Sequence, residues 1–321
     1  VSTSAATGAA VAASGVEVVE DVGPRAAVET GERSFDVAVI GAGPAGLACA
    51  LNLVRGHARV LLVDSNRPRH AATLKSHGFI TRDGASPLEL RKLGREEFLR
   101  YPGASYQLAR VTAVTSGVDD GFQLSLRAVR GGEVSSVNAK LVVVATGLSE
   151  QLPEITNLRA FYGTALHSCV VCDGYEKTDK PLVLITHTET DREAMRRTET
   201  LVRRFSSDLT VIDAGSVTEI VGERAEMRGV RLKSGEFIAA SAGFVLPKSE
   251  AQLDFLAPLG LTVAKLPGGA LADSHPAHSG ETPIRGLYAV GEVATGRPEQ
   301  LLVAAGSGAA IVPQLLLSLS I

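Results

Sequence analysis

Residues 35–64 read FDVAVIGAGPAGLACALNLVRGHARVLLVD. An apolar run, a turn of three glycines, an Ala/Leu-rich stretch and a second apolar run ending in an acid spell strand, turn, helix and strand. Gly41, Gly43 and Gly46 stand in the GxGxxG spacing that, inside such a βαβ unit, holds a dinucleotide. Gly41 permits the tight turn, Gly43 lets the backbone approach a pyrophosphate, and Gly46 lets the helix lie close to the sheet. Pro44 and Ala45 complete the motif, and the helix N-terminus offers unpaired N–H groups to the phosphates. Asp64, closing the second strand, is placed to accept hydrogen bonds from a ribose 2′-hydroxyl and to repel a 2′-phosphate. The alternative is a glycine turn with a purely structural role.

Outward from this unit, residues 1–33 are small and polar without a sustained apolar period, and are expected to be a disordered tail. Helical spacing through Leu88, Leu90, Leu93 and Phe98 predicts a helix within 79–102. Strand-like runs follow at 107–115, 122–129 and 138–145, the last ending in VVVATG. From 151 the pattern restarts with LPEI, a cysteine pair, LVLIT, a charged helix, LTVID and strands near 230–246. The final fifth returns to strand, glycine turn and a helix of small residues, too little to stand alone. The expected fold is α/β with two Rossmann-like three-layer domains, the second inserted in the first. Residues 34–150 and 270–321 would form the first, and 151–269 the second.

Composition agrees with this reading. The 321 residues are 45% hydrophobic but only 4% aromatic, with no Trp and 33 Gly, so the core must be packed by Val, Leu, Ile and Ala. A net charge of −3 gives no electrostatic reason to expect nucleic acid or an anionic membrane. No stretch reads as long and apolar enough to cross a bilayer, and the first residues lack a secretory pattern, so a cytoplasmic location is expected.

The chain has three cysteines, and two of them, Cys169 and Cys172, stand in HSCVVCDGYE at 167–176. In a reducing compartment so few cannot be a structural framework, so the pair reads as redox-active or metal-bound. Zinc needs four ligands, and only His167 and Cys49 could supplement the pair, Cys49 lying inside an apolar helix. No metal is therefore expected, and thiol–disulfide exchange is the preferred chemistry over an inert core pair.

GAGPAG, VVVATG at 142–147 and GLYAVGE at 286–292 are together the marks of two-dinucleotide flavoprotein disulfide reductases. With CxxCDG in the second domain, residues 35–321 resemble the low-molecular-weight thioredoxin reductase family. The resemblance implies FAD in the first site, with Thr146 and Gly147 closing over it and Gly291-Glu292 near the flavin ribityl and phosphate. Glu292 stands where the family has Asp. Arg69, Val111, Gln300 and Leu301 are implied FAD neighbours, with loop and capping roles as the alternative. The resemblance also implies that Cys172 is the flavin-proximal sulfur, that Cys169 exchanges with substrate, and that Asp173 shuttles a proton. His167 is a candidate second base if its pKa stays near about 6.5, and a hydrogen-bonding loop residue otherwise.

The family's second glycine motif, which holds NADPH, is missing. No glycine occurs from Pro181 through Ala214, and Glu189, Asp191 and Glu193 stand where a pyrophosphate would lie. Two like unit charges about 4 Å apart repel by roughly 4 kcal/mol at an effective dielectric of about 20, enough to abolish ordinary nucleotide affinity. NADPH binding is not expected, unless Arg192, Arg196 and Arg197 rescue it by an unusual mode.

RPRHAATLKSHGFITRDGASPLEL and CxxCDGYE are similar to a branch that includes the dithiol oxidases of gliotoxin-type and dithiolopyrrolone biosynthesis. That likeness implies a small-molecule dithiol as substrate and oxygen as electron acceptor, and the resemblance to the thioredoxin reductase family implies a homodimer. Loops 70–80 and 295–300 would line the substrate pocket. A ferredoxin- or flavoprotein-fed reductase of a thioredoxin-like partner, and a non-catalytic FAD-binding scaffold, are the alternatives.

Overall fold

The computed structural model describes residues 34–187, 192–223, 226–261, 271, 280–296 and 300–320. The tail at 1–33, Glu189 and Asp191, the expected domain boundary at 269/270 and the rim residues 297–299 lie outside the described residues.

Strands β1 (Ser34–Ile40) and β2 (Val60–Asp64) pair in parallel, with Val37 opposite Val60, and are joined through helix α1 (Pro44–Arg55). Alternation along β1 sends Val37 and Val39 to a core shared with Leu47, Cys49 and Leu53 of the helix. Ala38 and Ile40 point to the opposite face, against Leu124 and Leu126. Both faces are covered, which is why these strands read as unbroken apolar runs. The turn between β1 and α1 tolerates no side chain at two of its glycines. Gly41 sits at φ +112°, where a Cβ would lie 2.4 Å from the Ala145 carbonyl oxygen, and a Cβ on Gly46 would lie 1.8 Å from that of Gly41.

The expected helix within 79–102 is shorter, α2 (Pro87–Leu99). Residues 76–85 instead close a loop, with Ser76 N–H donating to Ala85 and Gly84 N–H to Ser76, at 2.8 and 2.9 Å. Ser86 then caps the helix, accepting from Glu89 N–H at 3.1 Å, with Pro87 in the first turn. Phe98 is fully buried, but Leu88 is 74% exposed and takes no part in the core.

The long strands β3 (Ala104–Ser116) and β5 (Val134–Val144) each serve two partners. β3 lies parallel to β2 as far as Leu108 and from Ala109 pairs antiparallel with β4 (Phe122–Ala128). β5 pairs antiparallel with β4 over Val134–Ala139, while its Asn138–Val144 part runs parallel to β1.

The chain then leaves through β6 (Ser149–Gln151) and the short helix α3 (Leu158–Phe161) into a second sheet. That sheet opens with β7 (Leu166–His167), and α4 (Val170–Asp173) carries Cys172 and is capped by Cys169. β8 (Leu182–Thr186), α5 (Arg192–Val202) and β9 (Leu209–Asp213) repeat the strand–helix–strand unit, β8 and β9 in parallel. All five residues of β8 are buried, Val183 and Ile185 on one face and Leu182 and Leu184 on the other. Each such side chain contributes about 1.5–3 kcal/mol by leaving water.

An antiparallel trio, β10 (Val217–Glu223), β11 (Glu226–Leu232) and β12 (Phe237–Ala239), precedes β13 (Ala242–Val245), which lies between β7 and β8. β14 (Lys248–Glu250) pairs with β6, so the outgoing and returning segments run side by side. β15 (Leu287–Ala289) finally joins the first sheet beside β5, Leu287 opposite Val142.

Three helices end the chain, α6 (Glu292–Thr295), α7 (Leu301–Ala310) and α8 (Val312–Leu319). The small residues of α7 allow close contact with the glycine turn: a Cβ on Gly308 would lie 2.0 Å from the Ala45 carbonyl oxygen. Leu301–Leu319 corrects one expectation, because by length and composition alone it could cross a bilayer. Pro313 divides it into two helices, and Ala304, Val312 and Leu315 pack into the core around α1.

Candidate active site

A cavity of about 1210 Å³ runs along the ends of β1, β2 and β5. Gly41, Gly43, Pro44, Ala45, Asp64, Arg69, Val111, Thr146, Gly147, Gly291, Glu292 and Leu301 all line it. Thus residues far apart in sequence, from the first glycine turn to the last helix, meet on one surface. Gly46 lies behind the turn against Gly41, and Gln300 sits exposed as the residue preceding α7, outside the lining.

A second, smaller cavity of about 90 Å³ holds the cysteine pair, together with His167, Asp173, Ser76 and His77. Arg69, Ala72, Glu150, Tyr162 and Leu301 line both cavities, so the two are contiguous. Cys169 and Cys172 form a disulfide with a Cα–Cα distance of 5.3 Å. Cys169 caps the short α4, its sulfur accepting from Cys172 N–H at 3.2 Å. Gly163, at φ +86°, brings the cysteine segment against the Arg69 loop, for a Cβ there would lie 1.9 Å from the Ala72 carbonyl oxygen.

Polar contacts tie the two cavities together. Arg69 donates to Glu150 Oε1 at 2.8 Å and through Nε to Glu292 Oε2 at 3.1 Å, and its Nη2 pairs with Glu292 Oε1. Glu150 also accepts from Tyr162 OH and, at 3.2 Å, from Ser168 next to the disulfide. Burial works against the Arg69 charge, yet the Glu292 and Glu150 carboxylates outweigh it and raise its pKa. Burial first, and then the Glu150 charge, raises that of the Tyr162 hydroxyl, so it stays a donor.

The sequence pattern of the pyridine nucleotide-disulphide oxidoreductase family matches residues 35–215, more than half of the chain. This chain is a member of that family. The crystal structure of HlmI shares its fold with a TM-score of 0.76 at 34% identity, covering 89% of this chain and 94% of that one. A structure described as thioredoxin reductase TrxB from Bacillus anthracis has a TM-score of 0.79 at 30% identity, over 89% and 98% of the two chains. Thioredoxin reductase tcpT of Claviceps purpurea is 26% identical over 286 residues, 80% of this chain and 86% of its own. A thioredoxin reductase-type protein of Arthroderma benhamiae is 32% identical over 154 residues, which are 48% of this chain but only 38% of that one.

The family's cofactor is FAD, and the protein is a flavin-dependent oxidoreductase. The large cavity fits that cofactor on its own terms, because nothing stands within 4 Å of the place a Cβ would take on Gly43. Asp64 is 5% exposed and already holds three donors: Asn66 N–H on Oδ1 at 2.7 Å, with Arg91 at 2.6 Å and Tyr106 OH at 2.9 Å on Oδ2. An ionised carboxylate has about four acceptor positions, which leaves room for a ribose hydroxyl. Arg91 was missed by sequence reasoning, since one arginine on a helix that fully buries only Pro87 and Phe98 has no distinguishing pattern. Gly147 and Glu292 meet across the cavity, a Cβ on the glycine lying 3.5 Å from Glu292 Oε2.

The protonation states near the disulfide differ from the expectation for one residue. Burial raises the Asp173 carboxyl to about 6, opposed by Lys177, so it can hold and release a proton near neutrality. His167 is instead pushed down to about 3, by burial first and Lys177 second. It is therefore neutral throughout the working range and too weak a base for the second-base role. Cys49, fully buried, is raised to about 12 and stays an inert thiol. Among the described residues no group of three or more His, Cys, Asp or Glu side chains is placed to hold a metal.

Proposed function

We propose that the protein is an FAD-dependent dithiol oxidase that closes a disulfide in a small molecule and passes the electrons to oxygen. The observation that carries this reading is the β8–α5–β9 unit, which keeps its parallel strands and lacks the glycine turn that a pyridine nucleotide needs. Its Glu193 pairs with Arg197, and Asp213 at the end of β9 accepts from Gly215 N–H at 2.8 Å. A carboxylate there opposes a 2′-phosphate. In this reading the electrons come from a dithiol.

A substrate thiol gives its proton to the Asp173 carboxylate, and its sulfur bonds to Cys169. The Cys169–Cys172 bond breaks with its electron pair on Cys172. The second substrate thiol, deprotonated in turn, displaces Cys169, and the substrate leaves with a sulfur–sulfur bond while the cysteine pair is left reduced. FAD, when bound, would supply the two-electron acceptor through which the cysteine pair returns to its disulfide and two electrons and two protons reach oxygen as hydrogen peroxide. The Gly41 turn, Thr146, Gly147 and Glu292 hold that cofactor, and Arg69 with Glu150 keeps the cysteine segment against it. We further propose the 150/151 and 269/270 domain boundaries, and a homodimer.

The test is the flavin absorbance of the purified protein under anaerobic conditions, first with NADPH and then with dithiothreitol or a candidate dithiol. NADPH should leave the spectrum unchanged, a dithiol should bleach it, and air should restore it with one hydrogen peroxide per dithiol. Bleaching by NADPH, or none by any dithiol, defeats the reading. The relatives named thioredoxin reductase favour a second reading, in which electrons from ferredoxin or another flavoprotein reduce a thioredoxin-like disulfide. Reduction of a thioredoxin by photoreduced ferredoxin, without nucleotide, would establish that direction instead.

A further inference from the structure

Lys177 is 3% exposed, deeper than any other lysine among the described residues. A buried ammonium is costly unless its donors are used, and here each has a destination. Nζ lies 2.9 Å from His167 Nδ1, 3.2 Å from the Asp173 carbonyl oxygen and 5.3 Å from the centre of the Phe244 ring. None of the described carboxylates pairs with it at ion-pair distance.

An ammonium has no lone pair, so His167 Nδ1 must be the acceptor and the ring proton must sit on Nε2. That nitrogen lies 3.4 Å from Asp173 Oδ1, and the Gly163 backbone also accepts a hydrogen bond from the ring. The order is therefore Lys177, His167, Asp173, and Asp173 lines the same cavity as both cysteines. β7 supplies the histidine, α4 the aspartate, and the turn Tyr175–Lys177 the lysine. We infer that Lys177 is a positioning residue: a buried cation that fixes the tautomer of His167 beside Asp173 and sets the pH range over which Asp173 takes and returns the substrate proton.

This inference rests on the proposed thiol chemistry but does not depend on its direction. Proton transfer runs from a thiol S–H to an Asp173 oxygen in oxidation and the reverse in reduction, with no change in electron count. Asp173 pushed up to about 6 and Lys177 brought down to about 8, each chiefly by burial, agree with a lysine still charged while the carboxylate exchanges protons. The other titratable groups near these three are His77, Glu176 and Lys180. His77 in turn contacts Glu176 at 3.5 Å and Asp83 at 3.7 Å. All of these stay in place when Lys177 alone is replaced.

The experiment uses the full chain with its flavin, as the parent and as Lys177→Met and Lys177→Arg. Flavin reduction by dithiothreitol is followed anaerobically from pH 5 to 9, and the His167 ring nitrogens are followed by NMR. Removing a positive charge raises the proton affinity of both His167 and Asp173. The acid limb of the Lys177→Met profile should thus move up by roughly 0.5–2 pH units, the range expected for a unit charge about 5 Å away. His167, pushed down to about 3 in the parent by burial and by Lys177, should titrate at a higher pH in Lys177→Met, followed on the same ring nitrogens down to the lowest pH at which the fold holds. Lys177→Arg should restore both.

Superimposable profiles and an unchanged histidine overturn the inference. If Lys177→Met does not fold, Lys177→Gln, neutral and still a donor, takes its place with the same predicted shift. Should no dithiol bleach the parent, the proposed oxidase fails, and the histidine titration still decides the role of Lys177.

Discussion

The units β1–α1–β2 and β8–α5–β9 have the same connectivity and the same parallel, buried strands, and they differ in the turn that follows the first strand. In the first, Gly41 and Gly46 allow backbone contacts that any side chain would block, and the space beside Gly43 is open. In the second, the run from Pro181 through Ala214 has no glycine, and charges crowd the helix start. Strand pairing and apolar burial are enough to keep a Rossmann-like unit folded. Ligand chemistry resides in a few turn residues and can disappear while the scaffold stays.

The comparison can be broken most decisively at the cysteines. Cys172→Ser should keep its flavin but lose dithiol-driven reduction by about 10³-fold or more, read by anaerobic rapid mixing. Retained reduction would mean that the second unit feeds electrons by another route. Next comes the turn itself. Gly46→Val should abolish or sharply reduce bound flavin, measured by the visible-to-ultraviolet absorbance ratio, because its Cβ would fall 1.8 Å from a carbonyl oxygen. Overpacking of this kind costs about 1–3 kcal/mol.

A smaller effect is expected from pH. Asp173 must be ionised to accept a thiol proton, and its pKa is raised to about 6, so flavin reduction should fall as pH drops through about 6. Asp173→Asn should remove that limb and slow the reaction by about 10²-fold or more. The smallest effect belongs to the second unit. Glu193 and Arg197 are 69% and 76% exposed, so Glu193→Gln should change stability by less than about 0.5 kcal/mol in thermal unfolding and leave flavin reduction unaltered.

Much of the first unit could be read directly, because strand, turn and helix each leave a local period and the glycines are unavoidable. The same was true of Cys169, Cys172 and Asp173, which lie within five consecutive residues. Helix α2 fell within the expected stretch 79–102 with its start marked by the Ser86 cap and Pro87, whereas the exposed Leu88 shows that a helical period does not by itself say which face is buried. Glu150 and Lys177 left no local signal, since their importance arises from partners such as Arg69, Ser168 and His167. His167 was placed correctly near the cysteines, but its role depended on a burial that no residue beside it announces.

The sequence by itself determined two strand–helix–strand units, one fit for a dinucleotide and one not, a dithiol pair, and the family that combines them. These follow from short-range rules of periodicity, backbone freedom and thiol chemistry. Only the tertiary structure decided that the disulfide cavity opens onto the cofactor cavity, that Glu150 and Arg69 join them, and that burial, with Lys177 beside it, keeps His167 neutral. Contacts between distant segments and the loss of water around a charge are properties of the packed chain, and no local stretch of it encodes them alone.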